Sequence, residues 1–159
     1  MINLKKLHHN AYRCNNSENT RKFYEDFLGL PLVDAFEIPT TMTGRSTKVL
    51  HTFYSLNDGS SLAFFEVANK TLKYKKWHDF DLHIALQVDE NILLKYYKLG
   101  KDNGIETRGI SDHGFMKSFY FRDPDGYVIE LTSPMKNYKI NNKKKSRDVL
   151  DEWALNKNE

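Results

Sequence analysis

Four residues of metal-binding type recur at matched places along this chain. His9 opens the pattern His9-x-Ala11-x-Arg13, and His83 opens His83-x-Ala85-x-Gln87. Glu66 lies in the apolar run "LAFFEVA" and Glu130 in "YVIELTS". Period-two spacing puts the histidine, the small residue and the long polar residue of each pattern on one face of a strand. A carboxylate among large apolar residues is costly to bury alone, and a metal ion is one partner that offsets the cost. Two histidines and one or two carboxylates form a ligand set for a divalent transition metal; the ligand types do not choose among Ni, Zn, Fe, Mn and Co. The plain alternative makes each residue an ordinary core or surface group. Recurrence at equivalent places in two halves is what brings the metal into consideration.

The doublet His8-His9 sharpens the choice. Neighbours on a strand point to opposite faces, so at most one of the two looks into a site. The echo between "HNAYR" and "HIALQ" selects His9, with His8 expected on the outer face.

The elements that must hold these residues read in the same order twice. "LHHNAYRC" reads as a strand, "NTRKFYEDFLGL" as a helix with Asn15 as N-cap and Gly29 at its end, and "LPLVDAF", "KVLHTFYSL" and "SLAFFEVA" as strands. "EIPTTMTGRST", between the first two of those strands, reads as a loop. The second half runs "DLHIALQV" (strand), "DENILLKYYKLGKDNG" (helix), then "IETRGI", "KSFYFRD" and "YVIELTS" as strands. This predicts an α+β fold of two tandem βαβββ modules, about 5–70 and 79–134, within a single domain of residues 1–135. Residues 136–159 read as a basic connector and a short amphipathic helix capped by Ser146, with Val149, Leu150 and Trp153 on one side to pack on the body or a partner.

The net charge of +3 resides wholly in that tail, because residues 1–135 carry equal numbers of acidic and basic side chains. "NNKKKSR" reads as a solvated connector, and nucleic acid is not an expected partner. No apolar run reaches the ~20 residues of a membrane span, and "MINLKK" lacks the apolar stretch of a signal peptide. The lone Cys14 excludes an internal disulfide, which fits a reducing, cytoplasmic setting.

"LHHNAYR…FYEDFLGLPLV", "DLHIALQV" and "FRDPDGYVIEL" resemble the vicinal oxygen chelate superfamily, which includes glyoxalase I, extradiol dioxygenases, bleomycin-resistance proteins and fosfomycin-resistance enzymes. The resemblance covers about residues 5–134. It implies modules curled into an open, half-barrel-like metal cavity and a homodimer acting on a small molecule. It matches His9, His83 and Glu130 to the superfamily's metal positions, and Glu66 to the further ligand of glyoxalase I.

With all four as ligands, the resemblance implies glyoxalase I-like lyase or isomerase chemistry through a metal-bound enediolate. Glu130 and Glu66 would then be ligands and candidate bases, with Arg13 as a substrate anchor. With Glu66 turned away, it implies an Fe(II) extradiol dioxygenase using His113 and Tyr120 as acid–base residues. A third implied class is a metal-free binding protein of the bleomycin-resistance kind. Glu66 is the residue that separates the first two.

Overall fold

The structure is a computed structural model and describes residues 2–73, 78, 80–136, 138 and 143–157. The first module comprises β1 (His9–Cys14), α1 (Ser17–Arg21) continued by a π-helical turn (Lys22–Phe27), β2 (Leu32–Thr40), β3 (Ser46–Ser55) and β4 (Ser61–Val67). The second comprises β5 (Ile84–Gln87), α2 (Glu90–Asp102), β6 (Thr107–Asp112), β7 (Met116–Arg122) and β8 (Val128–Pro134). Each module forms one open four-stranded sheet, ordered β1-β4-β3-β2 and β5-β8-β7-β6, with its first strand parallel to its last. The expected duplication is thus seen in topology as well as in element order.

Several local expectations are corrected. The cap of α1 is Asn16, whose side chain accepts from the Asn19 amide. Asn15 instead donates its amide and its side chain to Asp125 of the second module. The segment read as a loop between β2 and β3 is mostly hairpin: Ile38 pairs with Val49 and Glu37 with Leu50. Its β-branched residues outweigh its turn formers. The final helix, α3 (Lys143–Asn156), starts inside the lysine run, so Ser146 is not its cap. Val149, Leu150 and Trp153 are exposed rather than packed on the body. No helix among the described residues is long and apolar enough to cross a membrane.

One face of each sheet is committed to a shared core. Phe23 and Tyr24 of the π turn and Leu93 of α2 pack with Tyr54, Leu62 and Phe64 of the first sheet and with Ile84, Phe119, Phe121, Ile129 and Leu131 of the second. Between the modules, the buried Tyr24 hydroxyl donates to Asp123 Oδ2 at 2.9 Å. Strand alternation then leaves the opposite faces, carrying His9 and Ala11 in one sheet and Ala85 and Glu130 in the other, outside this core.

Candidate metal centre

In the second sheet, Ala85, Glu130, Tyr120 and Arg108 stand in one row across four strands. Glu130 is 3% exposed. Its Oε2 lies 3.1 Å from His83 Nε2, while its Oε1 is buried with no hydrogen-bond partner. An enclosed carboxylate oxygen without a donor is rare, because desolvating it is costly. Tyr120 sits beside it, and burial first, then the Glu130 charge, pushes the phenol pKa up. The Arg108 guanidinium lies over the Tyr120 ring, 5.2 Å from its centroid.

The equivalent row of the first sheet is Ala11, Ala63, Phe53 and Asp34. The residue that corresponds to Glu130 is therefore Ala63. Glu66 is three residues further on, which by alternation is the other face. It pairs with Cys14, and its carboxylate accepts the Ser17 amide at 2.6 Å on the helix side of the sheet. The structure does not bring Glu66 to the face that carries His9.

His9 lies on that face near His51 and Phe53, with ring centroids 6.3 and 5.3 Å away. His8 does not point away as alternation predicts. β1 begins at His9, so His8 is outside the regular strand, and its Nδ1 lies 2.8 Å from His9 Nδ1. Among the described residues, no group of three or more His, Cys, Asp or Glu side chains is gathered to hold a metal ion. Within one chain, His9 thus stays apart from the His83–Glu130 pair.

Arg13 shares the His9 face. Its Nε is buried without a partner, and among the described residues its Nη2 reaches only the Lys70 carbonyl, at 3.5 Å. His113 is exposed at the β6–β7 turn, where its amide donates to the Met116 carbonyl. Met116 pairs with Pro134, four residues beyond Glu130. At ~3.4 Å per residue, His113 is therefore more than about 13 Å along the sheet from the Glu130 row. Tyr120 stands in the Glu130 row and His113 does not.

His51 was not singled out by the sequence patterns. The signal was present in "KVLHTFYSL", where parity puts His51 with Phe53, but no matching histidine in the second half drew notice to it.

Two mixed four-stranded sheets, each built as βαβββ and each presenting polar groups on its face outside the core, define a paired-module protein of the open, half-barrel-like class. The chain belongs to the Glyoxalase/Bleomycin resistance protein/Dioxygenase superfamily, whose model matches residues 6–131. It is 28% identical over 133 residues to the metallothiol transferase FosB of Staphylococcus epidermidis, covering 79% of each chain. It is 28% identical over 129 residues to a lactoylglutathione lyase of Neisseria meningitidis, covering 79% of this chain and 88% of that one. Among solved structures, it resembles the fosfomycin resistance protein FosX of Listeria monocytogenes complexed with Mn(II) and sulfate. That match has TM-score 0.61 and 18% identity, and covers 87% of this chain and 99% of the other.

Proposed function

We propose that the chain is a metal-dependent enzyme acting on a small oxyanionic molecule, with His9, His83 and Glu130 as the protein ligands of one divalent ion. The observation that carries this is Glu130, enclosed, with one oxygen on His83 and the other without a donor. Two imidazoles and a carboxylate suit Mn, Fe, Co, Ni or Zn. When bound, the ion would act as a Lewis acid toward a substrate oxygen. Arg13 offers the substrate anion a guanidinium that has no carboxylate partner among the described residues. Tyr120, held protonated by burial beside Glu130, offers a hydroxyl donor at the same row.

We further propose that two copies complete the set, His9 of one chain joining His83 and Glu130 of the other. In support, the three residues do not gather within one chain, and both candidate faces are turned from the core. With Ala63 in the position that matches Glu130, three protein ligands leave room for a substrate that binds through its own oxygens. This favours a transfer reaction, as the name metallothiol transferase states for FosB, over enediolate isomerisation.

The lactoylglutathione lyase relatives favour the isomerase as a second reading, but the hydrogen bond of Glu66 to the Ser17 amide, on the other face from His9, supports three ligands over four. Ring cleavage fits three ligands equally well, yet His113 is far from Glu130 along the sheet. The test is elemental analysis of the purified full chain with light scattering. About one divalent ion per chain in a dimer, lost on Glu130→Ala, supports the proposal. A chain that excludes divalent ions overturns the metal, and a monomer that holds one overturns the sharing.

A further inference from the structure

The face that carries His9 also carries a histidine with a fixed tautomer. His51 is 5% exposed and stacks on Phe65, with ring centroids 3.7 Å apart and planes 11° from parallel. Its Nδ1 lies 3.0 Å from the Phe64 carbonyl oxygen. A carbonyl only accepts, so Nδ1 carries the hydrogen and the neutral ring keeps its lone pair on Nε2. That Nε2 is not among the sealed, unpartnered buried atoms, and among the described residues His51 has no other hydrogen bond or ion pair. It therefore opens on the same side as His9 and Phe53, whose centroids are 6.3 and 4.2 Å from the ring.

Register completes the picture. Phe65 pairs with Arg13 on one side and His51 on the other, so a guanidinium and a hydrogen-bond acceptor flank one aromatic ring on one face. In the neighbouring row Ala11 is exposed, while Ala63 is fully buried beside Phe53. A basic end, an acceptor end and an aromatic floor match a small oxyanion that also bears a hydroxyl or thiol.

We propose that His51 is a substrate-contacting specificity residue whose Nε2 accepts a hydrogen bond from a hydroxyl or thiol of an oxyanionic ligand held on the face of Arg13 and His9. The proposal rests on the functional reading above for the ligand's anionic class. Nothing in the sequence pattern assigns His51 a role. A site built to accept from a ligand hydroxyl discriminates against the analogue that lacks it, because the acceptor is then desolvated without a partner.

The test compares 2-hydroxyethylphosphonate with ethylphosphonate by titration calorimetry, on Mn(II)-loaded and metal-free full chain. His51→Asn keeps an amide donor for the Phe64 carbonyl and removes the Nε2 acceptor. His51→Phe keeps the stack and removes both. The expected result is that both variants lose about tenfold or more in affinity for the hydroxylated probe, less than about twofold for ethylphosphonate, and retain the wild-type metal content. Equal affinities in wild type and His51→Asn overturn the proposal. So do equal losses for both probes, which indicate a packing role only. A wild type that binds no Mn(II) overturns the metal assignment, and selective loss of the hydroxylated probe in the metal-free chain still supports His51. Should His51→Phe fail to fold, as judged by thermal melting, His51→Asn alone decides.

Discussion

The Glu66 carboxylate accepts the backbone amide of Ser17, 2.6 Å away, at the first turn of α1. That contact ties the last strand of the first module to its helix and commits the residue on which the choice between four and three ligands turned. Glu66→Ala should therefore cost stability and leave metal binding intact. A hydrogen bond to a charged group contributes about 1.5–3 kcal/mol, and partial exposure here argues for the lower end, about 1.5 kcal/mol. Urea denaturation measures the first effect and metal titration the second. Loss of the ion from a folded Glu66→Ala chain would return Glu66 to the ligand set.

Sharing the site between chains predicts complementation. His9→Ala and Glu130→Ala chains should each fail to hold the ion as homodimers. After co-refolding, mixed dimers contain one site with His9, His83 and Glu130 intact and one lacking two of them. Metal binding should return to about one ion per mixed dimer. Failure of the mixture to recover metal, with mixed dimers demonstrated by mass, sinks the shared site.

The duplication was legible in the sequence because strand and helix periods repeat, and because "HNAYR" and "HIALQ" carry the same polar spacing. The placement of Glu66 was not. Matching "FFEVA" to "VIEL" by composition ignores pairing register, and a shift of three residues in a strand reverses the face. Only the pairing of Ala11 with Ala63 and of Ala85 with Glu130 fixes which residues correspond. Likewise, alternation could not place His8, since it applies only inside the strand that begins at His9. Nor could sequence show that His9 and Glu130 do not meet within one chain, which depends on how the modules pack around Phe23 and Phe121.

The contact between His8 Nδ1 and His9 Nδ1, at 2.8 Å, gives His8 a role that its expected outward aspect excluded. If His9 binds the ion through Nε2, its Nδ1–H donates to His8, which fixes the ring's orientation. Partners of this kind typically contribute 10–100-fold in metal affinity. His8→Ala should weaken metal binding by about tenfold, where His9→Ala abolishes it. Competition with a chelator of known affinity separates the two. Unchanged affinity in His8→Ala means the contact does not orient the ligand.

Gly100 of α2 lies against the second sheet so closely that a Cβ there would be 2.2 Å from Phe121 Cε1 and 2.6 Å from Thr107 Oγ1. Overpacking of this kind costs about 1–3 kcal/mol. The better helix propensity of alanine returns up to about 1 kcal/mol. Gly100→Ala should therefore be destabilising by about 1–2 kcal/mol despite its helical position, and Lys98→Ala on the exposed side should be near neutral. Chemical denaturation distinguishes them, and a stabilised Gly100→Ala would mean that α2 shifts freely from the sheet.

Asp123 is buried between the modules, receiving the Tyr24 hydroxyl on Oδ2 and the Asp125 and Tyr127 amides on Oδ1. Burial outweighs these donors and lifts its pKa to about 6, from an ordinary value of 3.8. A folded value above the unfolded one means that the native state holds the proton more tightly. The contribution is thus fully present below about pH 4 and lost as pH rises through about 6. The shift corresponds to about 3 kcal/mol. Exposed carboxylates act in the opposite sense: Arg21 holds Glu18 and Asp26 below their usual range, so their small contributions fade on acidification. The difference between wild type and Asp123→Asn isolates the buried group. Asparagine keeps an oxygen for the two amides and presents an NH2 to Tyr24, whose hydroxyl then accepts. Stability measured by urea denaturation between pH 4 and 7 should fall with pH by about 3 kcal/mol more in wild type than in Asp123→Asn. Parallel curves would mean that Asp123 stays charged in the folded protein throughout this range.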